Sequence, residues 1–220
     1  MEHLFRFYRS TVGKKVVMAI TGIFMFLFVF VHMVGNLQIF IGREELNRYA
    51  RFLHSVPEIL WAVRLGVIGS FLLHILAAYQ VWVRSLGAKP QKYRVKVDIA
   101  TTYAARTMVW TGPIVLAFLL FHLLDLTYGQ RIAGLAFNEA DVYANIVAGF
   151  QYWPLASVYI VANFLLGYHL YHGLWAMFQT LGLEHPFWDK SRRTFAVGFA
   201  VLVAGGNISI PVSVLAGLVK

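Results

Sequence analysis

The chain has 220 residues, of which 59% are hydrophobic and only 13% charged, with a mean hydropathy of +0.65 and a formal net charge of +9. A water-soluble domain of this length carries about a quarter charged residues, so the composition predicts an all-α integral membrane protein forming one bundle over residues 1–220. Cysteine is absent, which excludes disulfides, thiolate metal sites, iron–sulfur ligation and thioether-linked haem.

Residues 1–15 combine Arg6, Arg9, Lys14 and Lys15 with Phe5, Phe7 and Tyr8, the composition of an interfacial segment. Helix I is predicted over roughly 16–41, inside an uncharged run from Val16 to Gly42 that exceeds the roughly 20 residues a span requires. That run is too long for a secretory signal and is expected to persist as a helix carrying His32. A polar connection over 43–58 holds His54 and Pro57, and helix II, about 59–84, has Arg64 near its start and His74 at its middle. The next loop is strongly basic, with Arg84, Lys89, Lys92, Arg94, Lys96 and Arg106 against Asp98. Helix III, about 104–125, carries His122 and ends at Asp125; a loop with Glu139 and Asp141 then holds a short surface helix near 139–150. Helix IV opens at Pro154, a favourable first-turn position, and runs to about 183 with His169 and His172. Helix V, about 194–218, has no internal charge and no histidine, and its Gly198, Gly205 and Gly206 suit close helix packing.

Five spans put the N-terminus, loop II–III and loop IV–V (Lys190, Arg192, Arg193) on one side, and that side holds most of the Lys and Arg. The positive-inside rule therefore predicts a multi-pass protein of the inner (cytoplasmic) membrane with its N-terminus in the cytoplasm and its C-terminus outside. Orientation accounts for the positive charge, and no nucleic-acid partner is expected. The basic cytoplasmic face suits an acidic protein partner or anionic lipid.

Ionisable residues within a span are costly and mark functional sites. Thr21-Gly22 is followed by nine residues and His32, and Thr111-Gly112 by nine residues and His122. Eleven residues are three helical turns, so each Thr and His share a face about 16 Å apart. With a rise of 1.5 Å per residue, His32 and His122 both lie about 25 Å from the cytoplasmic edge, His74 about 15 Å, and His169 and His172 about 22 and 18 Å. Helices I and III thus offer an outer pair, and helices II and IV a pair nearer the cytoplasm, with the choice between His169 and His172 open. Two facing imidazoles at one depth are the geometry of a bis-histidine haem b, a low-spin iron suited to electron transfer. Four histidines on four helices, matched by depth, favour that reading over interhelical hydrogen bonding. Gly22, Gly112, Gly66, Gly69, Ser70, Gly167 and Gly173 would admit a wide porphyrin. Donors for its propionates are Arg43, Arg48, Arg51, Arg64 and Arg131 at the outer end, and Lys14, Lys15, Lys92, Arg94 and Arg106 at the inner end. His3, His54 and His185 are read as surface, loop and interfacial residues.

The stretches His32-Met-Val-Gly-Asn36, Asn47-Arg-Tyr-Ala-Arg-Phe-Leu-His-Ser-Val-Pro57, His74, Thr111-Gly112 with His122, and His169-Leu-Tyr-His-Gly173-Leu-Trp175 share one order and spacing. In this the chain resembles, over nearly its whole length, the single-chain, five-helix dihaem cytochrome b anchors (b558 type) of succinate:menaquinone oxidoreductases and related fumarate reductases. The resemblance implies one haem b held by His32 and His122 toward the outside and a second held by His74 and His169 toward the cytoplasm. It selects His169, which stands four residues before Gly173. It further implies flavoprotein and iron–sulfur subunits on the cytoplasmic side and electron transfer between them and a membrane quinone, usually menaquinone. The anchor is then a subunit of a succinate dehydrogenase that does not itself bind succinate. Gly22, Gly112, Arg64 and Arg106 are the expected cofactor neighbours, and Arg51, His54, Glu58 and Arg64 the expected quinone contacts. Some dihaem fumarate reductases carry a glutamate two residues before the helix IV ligand; here that position is Gly167, so a proton path of that kind is not expected. The alternatives are the anchor of a fumarate reductase or another quinone-linked dehydrogenase, and a haem-free transporter with a histidine proton relay. The latter would be built of repeats with broken helices.

Overall fold

The structure, a computed structural model, describes residues 2–88 and 102–220, and every regular element among them is helical. The α-helices are α1 (Glu2–Arg9), α2 (Thr11–Asn36), α3 (Arg43–His54), α4 (Pro57–Gly87), α5 (Tyr103–Leu126), α6 (Val142–Gln151), α7 (Trp153–Thr180) and α8 (Pro186–Leu215). Four are long and apolar enough to cross a membrane: α2 with its continuation to Phe40, α4, α5 and α8. Backbone polar groups in hydrocarbon must be satisfied internally, and these helices meet that demand; the chain is membrane-embedded in character. The expected count of five spans thus stands at four by length and apolarity. The remaining long helix, α7, has 28 residues and no charge, but Tyr159, Asn163, Tyr168, His169, Tyr171 and His172 lower its hydropathy.

Local chemistry moves several expected boundaries. Ser10 takes an extended conformation and its Oγ accepts the Gly13 N–H at 2.9 Å, so α2 opens at Thr11 rather than near 16. Lys14 is therefore inside the helix and buried, its Nζ donating to the Tyr8 carbonyl at 3.2 Å and lying 4.2 Å from the Tyr8 ring centroid. Residues 43–54, expected as a plain connection, form α3, with Glu44 and Glu45 in the first turn and Arg51 and His54 in the last. Those charges complement the helix dipole at both ends. Gly42 at φ 141° makes the turn into α3, a backbone conformation that disfavours a side chain. Pro57 stops α3 and opens α4. At the other end of the chain, the His185 ring accepts the Phe187 N–H at 3.2 Å, so α8 begins at Pro186 rather than 194. The basic residues Lys89, Lys92, Arg94 and Lys96, with Asp98, lie outside the described residues.

Helix α7 packs against α2, α5 and α8, and α2 also packs against α4 and α8. Two buried clusters hold the bundle: one around Phe150, Leu155, Ala156, Tyr159 and Ile210, the other joining Met33, Leu170, Ala200 and Val203. Gly167 allows a close α7–α8 approach, since a Cβ there would stand 3.0 Å from Ala204 Cβ, and Gly206 admits the Met33 side chain. Gly198 and Gly205, expected to pack, instead meet nothing within 4 Å.

Helices α3 and α6 and the C-terminus gather at one end. Arg43 pairs with Asp141, Asn47 donates to Asp141 at 2.8 Å, and Tyr143 Oη donates to the Lys220 carbonyl at 3.0 Å. At the opposite end, Tyr8 Oη donates to Gln80 at 3.2 Å and Arg84 to Thr11 Oγ1 at 3.3 Å, tying α1 and the start of α2 to the end of α4. The two termini therefore sit at opposite ends of the bundle.

Candidate functional site

The four helices α2, α4, α5 and α7 bring His32, His74, His122 and His169 together in two pairs. His32 on α2 faces His122 on α5 with ring centroids 5.9 Å apart, and His74 on α4 faces His169 on α7 at 6.4 Å. The ring that meets His74 is that of His169; His172 is half-buried one turn further on. Neither α2 and α5 nor α4 and α7 packs closely, so the paired imidazoles approach across helices held apart by their other neighbours.

Hydrogen bonding fixes the free nitrogen of two rings. His74 Nδ1 lies 3.1 Å from the Met18 carbonyl and 3.2 Å from Thr21 Oγ1, whose own hydroxyl donates to the Val17 carbonyl at 2.7 Å. A carbonyl only accepts, so Nδ1 carries the proton and Nε2 keeps its lone pair. The Thr–His face expected in helix I thus serves two sites: Thr21 meets the His74 pair, while His32 lies three turns away in the other. Thr111, its counterpart on α5, is buried and donates only weakly to Met108 Sδ at 3.7 Å.

His122 is held differently. Its Nδ1 lies 3.4 Å from Tyr159 Oη, which donates to Asp125 Oδ2 at 3.0 Å. The tyrosine proton being directed to the carboxylate, its oxygen accepts from His122 Nδ1–H and again leaves Nε2 free. Asp125 Oδ1 stands 3.3 Å from Arg131 Nε, both side chains 1% exposed, and Arg131 Nη1 donates to the Asn145 carbonyl at 2.8 Å. Sequence reasoning missed this chain. Asp125 is three residues beyond His122 and so shares its helical face, a usable signal; nothing in the sequence pointed to Tyr159, which arrives from α7.

A metal bound between such rings fits their spacing. Imidazole nitrogens bind first-row metals at about 2 Å, so two trans ligands place their ring centres about 6 Å apart. Among the described residues no group of three or more His, Cys, Asp or Glu is close enough to hold a metal. His169 Nδ1 is buried without a hydrogen-bond partner, a costly condition in an apolar interior. Gly22 lies over the His74 ring, a Cβ there coming within 3.7 Å of its Cε1, while Gly69, Gly112 and Gly173 have open space beside them. Gly66 faces the Phe24 ring and Gly167 faces α8, so these two serve packing.

Several expected propionate donors already have partners. Arg43 pairs with Asp141, Arg48 with Glu45, Arg51 with Glu44 at 3.2 Å, and Arg131 with Asp125. Arg64 is half-buried, 5.2 Å from the Trp61 ring centroid, and Arg106 stands 5.8 Å from that of Tyr103. Lys92 and Arg94 lie outside the described residues. Of the expected quinone contacts, Arg51, His54 and Glu58 are exposed around the α3–α4 junction. An apolar groove between α5 and α7, about 480 Å³ and lined by Phe118, Phe121, Val158 and Val161, lies beside the His122 network. No protein-family model, curated protein or solved structure matches the chain.

Proposed function

We propose that this chain is the dihaem cytochrome b membrane anchor of a respiratory succinate dehydrogenase, a subunit without succinate chemistry of its own. One observation carries the reading: four half-buried histidines form two pairs at metal-spanning distance across helices that do not otherwise pack closely. His32 and His122 would hold an outer haem b, and His74 and His169 an inner one. Each haem supplies a reversible one-electron couple when bound. The protein's part is to present four imidazoles, two of them with the tautomer fixed by the Nδ1 partners of His74 and His122, to exclude water, and to set the basicity of those two ligands through these partners. His74 donates to backbone and hydroxyl oxygens, and His122 to Tyr159.

In this reading α7 crosses the membrane as a fifth span, the α1 end faces the cytoplasm, and the C-terminus lies outside. Flavoprotein and iron–sulfur subunits dock on the basic cytoplasmic face, and electrons pass through the haems to menaquinone. The same anchor serves fumarate reduction if cofactor potentials run the other way. The test is purification of the tagged chain from native membranes in mild detergent. Co-elution of a flavoprotein and an iron–sulfur protein, with succinate-dependent reduction of a menaquinone analogue, is expected. Elution with the electron-input subunits of a different dehydrogenase contradicts it.

A further inference from the structure

The Arg131–Asp125–Tyr159 chain ends on one histidine of one pair, and among the described residues nothing comparable reaches the other pair. We infer that Tyr159 is a positioning residue for the outer metal centre: it accepts the His122 Nδ1–H and lowers the reduction potential of that centre. This rests on the proposed bis-histidine haem reading.

The geometry carries the argument. Asp125 and Arg131 are both 1% exposed and form an ion pair at 3.3 Å inside the bundle. Tyr159 Oη donates to it at 3.0 Å and is polarised by it, which makes the phenolic oxygen a stronger acceptor for His122 Nδ1–H at 3.4 Å. An imidazole whose N–H is drawn toward a carboxylate-backed acceptor is a more basic ligand. A more basic ligand stabilises the oxidised metal over the reduced one, and the potential falls. At His74 the same proton faces a neutral carbonyl and a threonine hydroxyl. The two centres therefore differ in ligand basicity by construction. Structural need is a weaker account of the chain, because a buried ion pair contributes little net stability against an apolar replacement. Arg131 is fixed independently through the Asn145 carbonyl at 2.8 Å, and Asn145 in turn donates to the Asn138 carbonyl at 2.7 Å.

The test is a redox titration of the assembled membrane complex with Tyr159→Phe, which keeps the ring against Phe118, Phe121 and Phe150 and removes only the hydroxyl. Both haems are expected to be retained, with the outer centre easier to reduce by about tenfold in its equilibrium constant, about 59 mV for one electron. The inner centre should not move. An unmoved outer potential with both haems bound overturns the inference and leaves the haem reading standing. Wild-type complex without haem overturns both. Should the variant fail to assemble, the reduced-minus-oxidised infrared difference spectrum of wild-type complex with isotope-labelled tyrosine decides. A labelled tyrosine C–O band titrating with the outer centre supports the inference, and no such band overturns it.

Discussion

At His74 the Nδ1–H is held by a backbone carbonyl of the neighbouring helix, whereas at His122 it is held by a tyrosine backed by a buried carboxylate and guanidinium. Both arrangements leave Nε2 as a lone-pair donor, and each partner ring comes from a different helix. If each pair holds a haem as proposed, removing one of its histidines should empty one site only. His32→Ala or His122→Ala is expected to remove the outer haem and spare the inner one, read as half the haem b per chain by pyridine haemochrome assay; loss of both haems from correctly inserted protein contradicts the pairing. The histidines themselves were legible as intramembrane ionisable groups. Their supporting shell was less so, because Tyr159 reaches His122 only through tertiary contact.

Among the elements, the α3–α6 clamp is the one least visible in the sequence. The segment 43–54 is polar and lies between spans, which reads as a connection, yet it is free of Gly and Pro and forms α3. Its Arg43 and Asn47 meet Asp141, which also caps α6 by accepting the Ala144 N–H at 3.1 Å. The Arg43 hydrogen bond, helped by Asn47 and Ala144, pulls the Asp141 carboxyl down to about 2. A depressed carboxyl pKa stabilises the fold fully above the unfolded value of about 3.9, and that stabilisation is lost as pH falls through the folded one. The thermal midpoint in detergent should thus fall more for wild type than for Asp141→Asn between about pH 4 and pH 2. Parallel curves for the two proteins would show that the clamp does not stabilise the bundle. The ends of α2 and α8 were misplaced for a related reason: Ser10 and His185 are caps whose action is local and weak against hydropathy.

For the whole molecule, composition alone indicated an all-helical membrane protein, and five long helices with alternating direction follow from the spacing of apolar runs. In the structure α3, α6 and the C-terminus lie at one end and α1 at the other, and four of the long helices are apolar enough to cross a membrane. Hydropathy could not say which helices touch; that depends on residues such as Gly167 and Gly206, whose neighbours are set by packing. On the proposed function, the spaces bridged by His32 with His122 and by His74 with His169 each hold a haem b. The most direct measurement is the reduced-minus-oxidised visible spectrum of the purified protein with haem quantified per chain. Two haems b per chain, with the sharp α-band of low-spin bis-histidine iron, is the predicted result. Folded protein that takes up no haem when it is supplied would contradict the account.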